Sequence, residues 1–173
     1  MSYVKKELVF TKEQIAERIQ SLASQISHDY ADKELILVGI LKGVFTFMAD
    51  LVRSLSIPVK IDFVRIASYG SKMQPGEIRL VNDIGLSVKG SNVLIIEDII
   101  DTGLTLDYLK KRLKKKRPAS IKVCALIDKS ERRKIPVDID YVGFKLDRGF
   151  IVGYGLDFDE RFRELPEIYR LIF

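Results

Sequence analysis

The segment from Val93 to Thr105 constrains the fold of this chain more than any other. It opens with four apolar residues, Val93 to Ile96, and such a run predicts a strand buried on both faces of a parallel sheet. Glu97 and Asp98 follow at the carboxyl end of this strand, and Asp101 to Thr105 then turns into a helical pattern. A strand, a glycine-containing turn and a helix start predict an anion site, because backbone N–H groups and the helix dipole point at one place.

Three acidic residues in this segment argue against a simple phosphate site. Glu97, Asp98 and Asp101 would repel a phosphate placed among them. They fit a ligand that presents hydroxyl groups, or a bridging Mg²⁺, next to its phosphate. A phosphorylated sugar has this layout, with its phosphate in the turn and its ring hydroxyls over the acidic pair. The alternative is an ordinary strand-to-helix turn with a capped helix, since glycine and capping residues are common there.

A second strand, loop and helix repeat this geometry earlier in the chain. The apolar run from Leu35 to Ile40 predicts a buried strand, and Leu41, Lys42 and Gly43 follow it at the start of a helix. A second anion fits here, because the lysine adds positive charge and the glycine permits close backbone approach. The spacing of a Walker phosphate loop is missing.

Alternation of buried strands and amphipathic helices predicts the fold class. We expect an α/β fold with a doubly wound, mostly parallel sheet flanked by helices. The core covers about residues 30–135, and a small strand-rich cap begins near residue 136, includes Tyr141 onward and takes up the N-terminal segment. The polar stretch from Ser68 to Gly76 is longer than a hairpin needs and predicts a flexible lid loop.

Composition favours one globular domain over residues 1–173. The chain is 47% apolar and 31% charged, which is typical of soluble proteins with a packed core. No apolar run approaches the length of a membrane span and the N-terminus lacks an apolar leader, so we expect a cytoplasmic protein without a membrane partner. The single cysteine, Cys124, lies in an apolar strand and excludes an internal disulfide.

The net charge of +5 is concentrated at the end of the helix after the turn. This position predicts a solvated helix C-terminus, whose cations complement the dipole. A nucleic-acid contact is the alternative, but no aromatic residue interleaves the run, and we favour the solvated helix. The run comprises Lys110, Lys111, Arg112, Lys114, Lys115, Lys116 and Arg117.

The sequence Glu-Asp-Ile-Ile-Asp-Thr-Gly at 97–103 resembles the phosphoribosyl-diphosphate signature of the type I phosphoribosyltransferases in its purine-salvage form. Ser68-Tyr69, Lys129 and the stretch from Phe150 to Asp157, with Arg163 beyond it, are similar to the hypoxanthine (hypoxanthine-guanine) members of that family. The resemblance implies transfer of ribose 5-phosphate from phosphoribosyl diphosphate to a 6-oxopurine, with Mg²⁺ as cofactor. It also implies a homodimer or homotetramer.

The resemblance further implies a role for each matching residue. Asp101 is the expected general base at the purine imidazole. Glu97, Asp98 and Asp157 are the expected metal ligands. The ribose phosphate is assigned to Glu97, Asp98, Asp101, Thr102, Gly103, Leu104 and Thr105. The diphosphate is assigned to Leu41, Lys42, Gly43, Ser68, Tyr69 and Arg163. The purine is assigned to Lys129, Phe150, Ile151 and Asp157.

Two other functions stay open at this point. One is a phosphoribosyltransferase for xanthine or adenine, because Ile151 and Gly155 lie where relatives vary. The other is an RNA-binding regulator built on the same fold, with the basic run as its contact surface. A salt titration separates the second from the enzyme, since phosphate contacts lose affinity steeply with salt.

Overall fold

The computed structural model describes residues 5–68 and 78–173, apart from the side chain of Ser68. Two sheets and the helices around them account for most of this part of the chain. In chain order the elements are β1 Lys5–Phe10, α1 Lys12–Asp29, β2 Leu35–Leu41, α2 Phe45–Ser54, β3 Lys60–Ser68, β4 Ile78–Asn82, β5 Asn92–Ile100, α3 Leu104–Lys115, β6 Ser120–Lys129, β7 Tyr141–Leu146, β8 Phe150–Val152 and β9 Ile168–Ile172.

The larger sheet has the strand order β4-β3-β2-β5-β6-β7. Five of its strands, β3, β2, β5, β6 and β7, are parallel, and β4 pairs antiparallel with β3 at the edge. The smaller sheet has the order β1-β9-β8 and is antiparallel. The predicted α/β class with a mostly parallel sheet is therefore confirmed.

Helices cover both faces of the larger sheet, as its buried strands require. Leu94 and Ile96 of β5 pack in one apolar cluster with residues of α1 and α2. Val93 and Ile95, which point the other way, pack in a second cluster with residues of α3. Strand alternation thus divides one apolar run between two cores.

Helix α1 follows β1 and has a capped N-terminus. The backbone N–H of Gln14 donates to the Thr11 hydroxyl at 3.2 Å, and the Gln14 side chain accepts from the Thr11 N–H at 2.9 Å. This reciprocal pair is a capping box at the start of α1. It fixes the point at which the chain leaves the small sheet for the large one.

The order of the strands reverses between β2 and β5, which creates a crevice at their carboxyl ends. Strand β5 pairs with β2 only as far as Ile96 opposite Gly39. It pairs with β6 further, to Ile100 opposite Asp128. Residues 97–100 therefore extend β5 beyond its pairing with β2, so Glu97 and Asp98 belong to the strand rather than following it.

The small cap begins later than the sequence predicts. Strand β7 pairs with β6 in the larger sheet, although its segment was expected in the cap. Its alternating burial is the pattern of any half-buried edge strand, so periodicity could not assign it to a sheet. Gly143 allows the close approach, because a Cβ there would overlap the Leu126 carbonyl oxygen.

The predicted lid loop, including Tyr69, lies outside the described residues apart from the backbone of Ser68. Strand β4 begins after these residues and pairs antiparallel with β3. None of the helices in the described ranges has the length and apolarity to cross a lipid bilayer.

Ion pairs within the protein occupy part of the basic run. Lys111 lies 2.7 Å from Asp107 on the same helix. Arg112 and Lys116 contact the Asp83 carboxylate at 2.7 and 3.2 Å. Hydrogen bonding from Arg112 lowers the pKa of Asp83 to about 2, so this carboxylate stays charged. These contacts support the solvated-helix interpretation over a nucleic-acid surface.

Candidate active site

A cavity of about 480 Å³ lies at the carboxyl ends of β2 and β5. Four segments of the chain meet there: the loop after β2, the end of β3 with Arg65, the end of β5 with the turn that follows, and the segment from Asp157 to Arg163. Nearly all of its polar side chains are charged, and both signs are present. The cavity therefore fits a ligand that carries phosphate groups together with hydroxyls or metal-binding oxygens.

The turn after β5 presents free backbone donors to this cavity. Gly103 is the N-cap of α3, has a left-handed φ of 83°, and makes no side-chain cap. The first N–H groups of a helix without such a cap are open to an anion. The Thr102 hydroxyl accepts weakly from the Leu104 N–H at 3.4 Å, and both Thr102 and Thr105 line the cavity.

The segment after β6 supports this turn through hydrogen bonds to its carbonyl groups. The N–H groups of Lys134 and Ile135 donate to the Thr102 carbonyl at 2.9 and 3.2 Å. Arg133 donates to the carbonyls of Ile100 and Asp101 at 3.0 and 2.8 Å and pairs with Asp128 at 2.5 Å. The turn is thus preorganised by contacts that lie far away in sequence.

Glu97 and Asp98 form a buried acidic pair, with exposed fractions of 8% and 9%. Burial raises the pKa of Glu97 well above its usual range, and the neighbouring Asp98 charge adds to this effect. Burial also raises the pKa of Asp98. Two desolvated carboxylates without a cation between them are unfavourable, and a metal ion or sugar hydroxyls would relieve that cost.

We expect the Glu97→Gln variant to be more stable than the wild type above neutral pH. The native pKa of Glu97 exceeds its unfolded value, so its contribution to stability is complete below the unfolded pKa and is lost as pH rises through the native pKa. Each pH unit of that window corresponds to about 1.4 kcal/mol. Thermal unfolding from pH 5 to 9 measures the difference.

The variant and wild type should converge at the acidic end of this range. Glu17→Gln, on the exposed face of α1, is the matched control and should leave the pH profile unchanged. Equal melting temperatures of Glu97→Gln and wild type at pH 8 to 9 would contradict the argument.

Asp101 lies at the start of the turn, between two cations. Its Oδ2 is 3.5 Å from Lys129 Nζ and 3.5 Å from an Arg132 guanidinium nitrogen. Its Oδ1 is buried and has no hydrogen-bond partner within the described residues. The carboxylate therefore has an unused acceptor, which a donor from a ligand can reach after rotation about the broad χ2 torsion.

The loop after β2 has a cis peptide bond between Leu41 and Lys42. Lys42 extends its ammonium group to Glu160 at 2.9 Å. Gly43 packs so closely that a Cβ would overlap Asp98 Oδ2, and its own carbonyl leaves no room for a Cβ on Gly155. Two glycines thus let the loop, the acidic pair and the segment after β8 meet.

Arg163 joins that last segment to the cavity. It contacts Asp157 Oδ1 at 2.8 Å and Glu160 Oε2 at 3.3 Å, and donates to the Gly155 carbonyl at 2.8 Å. The predicted diphosphate donors Lys42 and Arg163 are therefore brought to one carboxylate, that of Glu160.

Three of the residues assigned to the purine, Lys129, Phe150 and Ile151, lie outside the lining of this cavity, whereas the fourth, Asp157, lines it. Lys129 is buried and donates to the Gly149 carbonyl at 3.3 Å. Phe150 is 40% exposed, and its ring meets the rings of Phe158 and Phe173 edge-on, with centroids 5.5 and 5.9 Å away. Ile151 is buried beside it in β8. An ammonium donor and a partly exposed aromatic ring suit a flat polar heterocycle.

Within residues 5–68 and 78–173, no three acidic, histidine or cysteine side chains converge as a ready metal cage. Mg²⁺ in proteins takes one or two carboxylates and completes its shell with water and substrate phosphates. The buried pair Glu97 and Asp98, and Asp157 across the cavity, fit that mode of binding.

Comparisons with known proteins agree with this geometry. The chain matches the phosphoribosyl transferase domain over residues 8–159. It is 47% identical over 171 residues to a hypoxanthine-guanine phosphoribosyltransferase of Dictyostelium discoideum, covering 96% of this chain and 95% of that protein. The chain belongs to the phosphoribosyltransferase family. Phosphoribosyltransferases are glycosyltransferases, so the protein is an enzyme.

Solved phosphoribosyltransferase structures have the same fold. The crystal structure of a hypoxanthine-guanine phosphoribosyltransferase from Bacillus anthracis has a TM-score of 0.90 at 40% identity, with 99% of each chain covered. A hypoxanthine phosphoribosyltransferase from Trypanosoma cruzi, in a ternary substrates complex, has a TM-score of 0.90 at 40% identity over 98% of this chain and 96% of that one.

Sequence reasoning missed four charged residues in or beside this phosphoribosyltransferase site, namely Arg65, Arg132, Arg133 and Glu160. Arg132 and Glu160 were hidden in polar segments without a strong motif, and Arg133 reaches the turn from thirty-odd residues away. Only the placement of β6 beside β5 shows that the segment after Lys129 must lie behind the turn.

Proposed function

We propose that the protein acts in purine salvage as a hypoxanthine phosphoribosyltransferase. It transfers ribose 5-phosphate from 5-phosphoribosyl 1-diphosphate to hypoxanthine, and to guanine as a second base, giving IMP or GMP and diphosphate. Residues 1–173 act as one domain. The observation that carries this proposal is the Asp101–Lys129 pair at 3.5 Å, set directly beside a turn with free backbone donors.

The phosphate turn is proposed to hold the 5-phosphate of the sugar. Its anchors are the N–H groups at the start of α3 and the hydroxyls of Thr102 and Thr105. This position places the ribose ring over the open edge of β5, where Glu97 and Asp98 can accept hydrogen bonds from its hydroxyls.

Mg²⁺ is the cofactor we propose, with Glu97 and Asp98 holding one ion and Asp157 a second one on the diphosphate side. When bound, Mg²⁺ neutralises charge on the diphosphate leaving group. Lys42 and Arg163 lie on the same side of the cavity and supply further positive charge to that group.

The purine is proposed to stack on Phe150, with its 6-oxo group facing Lys129. The buried ammonium donates to an oxo group but finds no acceptor in the amino group of adenine. Losing a hydrogen bond from a charged donor costs about 1.5–3 kcal/mol, which favours 6-oxopurines. Backbone groups of Ile151 and Asp157 are proposed to form hydrogen bonds with the remaining edge of the purine ring.

Reaction forms a bond between a ring nitrogen of the base and C1 of the ribose, while the bond from C1 to the diphosphate oxygen breaks. The imidazole proton of the purine passes to Asp101, whose Oδ1 has no other partner in the described residues. Positive charge that develops on the sugar is stabilised by the carboxylates of Glu97 and Asp98 below it.

A base-competition assay tests this function. With phosphoribosyl diphosphate and Mg²⁺, we expect turnover of hypoxanthine and guanine to exceed that of adenine. Lys129→Met should lower kcat/KM for hypoxanthine by about 10- to 100-fold, the equivalent of about 1–3 kcal/mol, because the oxo group loses its donor. Lys145→Met, at an exposed position of β7, is the matched control.

Faster turnover of adenine than of hypoxanthine by the wild type would contradict the proposed role of Lys129 in selecting 6-oxopurines. Specific RNA binding with no turnover of any purine would instead favour a regulator. Light scattering on the same preparations tests the proposed dimer or tetramer.

A further inference from the structure

The carboxylate of Glu160 occupies the place where two predicted diphosphate donors converge. Its Oε2 lies 2.9 Å from Lys42 Nζ and 3.3 Å from an Arg163 guanidinium nitrogen. The Glu160 side chain is 63% exposed and lines the same cavity as the phosphate turn. Glu160 thus carries a negative charge at the position where the diphosphate group of the substrate is proposed to bind.

The backbone around Glu160 is shaped to hold it there. Asp159 and Glu160 both have left-handed φ angles, 53° and 60°, which cost about 1 kcal/mol or more each for residues other than glycine. The Glu160 N–H donates to Asp157 Oδ2 at 3.0 Å, and Phe158 and Arg161 exchange two backbone hydrogen bonds of 3.1 Å. A turn that keeps such conformations is fixed by its surroundings.

Glu160 and a bound diphosphate compete for the same two cations. Lys42 and Arg163 both lower the pKa of Glu160, so its carboxylate stays charged at neutral pH. A diphosphate that binds the same two cations must displace this carboxylate or lie beside a like charge. Because the diphosphate carries several charges and Glu160 carries one, the substrate can win, but with reduced affinity.

We propose that Glu160 is a positioning residue that competes with diphosphate for Lys42 and Arg163. It holds the two cations in place before the substrate binds and promotes release of diphosphate after transfer. This inference rests on the proposed function, since it assigns both cations to the diphosphate.

The test is the affinity for inorganic diphosphate with Mg²⁺, measured by titration calorimetry without any purine. Two surface ion pairs are lost in Glu160→Gln, so we expect binding about three- to ten-fold tighter than in the wild type. KM for phosphoribosyl diphosphate should fall with it, while KM for hypoxanthine stays unchanged. Glu160→Gly, which suits the left-handed backbone, should tighten binding in the same direction.

Glu164→Gln is the matched control, because it removes a charge from an exposed residue four positions further along. Its affinity for diphosphate should equal that of the wild type. Unchanged or weaker binding in both Glu160 variants, with wild-type turnover intact, overturns the competition alone. A wild type that neither binds diphosphate nor turns over any purine overturns the proposed function, and this inference with it.

Discussion

Asp101→Asn is expected to lower kcat for hypoxanthine by about 10²–10⁴-fold, the range of a positioned general base. The amide keeps the shape of the side chain and can still accept from Lys129 and Arg132. It cannot take the imidazole proton, so the variant loses the chemical step while KM for both substrates changes less than about three-fold. Steady-state kinetics with hypoxanthine measures this directly.

Single-turnover kinetics sharpens the test, because slow product release can hide a loss in the chemical step. The rate constant for nucleotide formation on the enzyme should fall at least as far as kcat. Asp107→Asn, one turn into α3 and paired with Lys111, is the matched control and should retain wild-type rates. A variant at position 101 that keeps a third or more of kcat would falsify the general-base role.

Local sequence predicted the elements whose signals are local. The buried strand of Val93 to Ile96 and the turn at Gly103 follow from apolar runs and glycine placement. The capping box of Thr11 and Gln14 follows from two residues. In each case the physics that forms the element acts within a few residues, so one stretch of sequence is sufficient to predict it.

Contacts between residues that are distant in the sequence could not be predicted from local sequence. The open edge of β5 beyond Ile96 depends on where β2 diverges from it, and the place of β7 depends on its neighbour β6. Arg133 and Glu160 act through partners about 30 and 118 positions away. Their local sequence is polar and unremarkable in pattern, so only the assembled sheet reveals what they contact.

Gly43→Ala should disturb the site directly, because Gly43 packs against the buried acidic pair. The added Cβ overlaps Asp98 Oδ2 and comes within 3.3 Å of the Gly155 carbonyl oxygen. Gly155 cannot retreat easily, because it is itself packed on the Gly43 carbonyl. Overpacking of this kind costs about 1–3 kcal/mol, so the melting temperature should fall.

The larger effect is on catalysis, since the displaced carboxylate of Asp98 is proposed to hold the ribose and metal. A misplacement of about 1 Å can cost roughly 10²-fold in rate, and we expect kcat/KM for phosphoribosyl diphosphate to fall by that order. Gly85→Ala is the matched control, because a Cβ there meets only Asp62 Oδ2 at an ordinary 3.7 Å. Full activity of Gly43→Ala would contradict this argument. It would mean that close packing of the loop after β2 against Glu97 and Asp98 is not needed for the reaction.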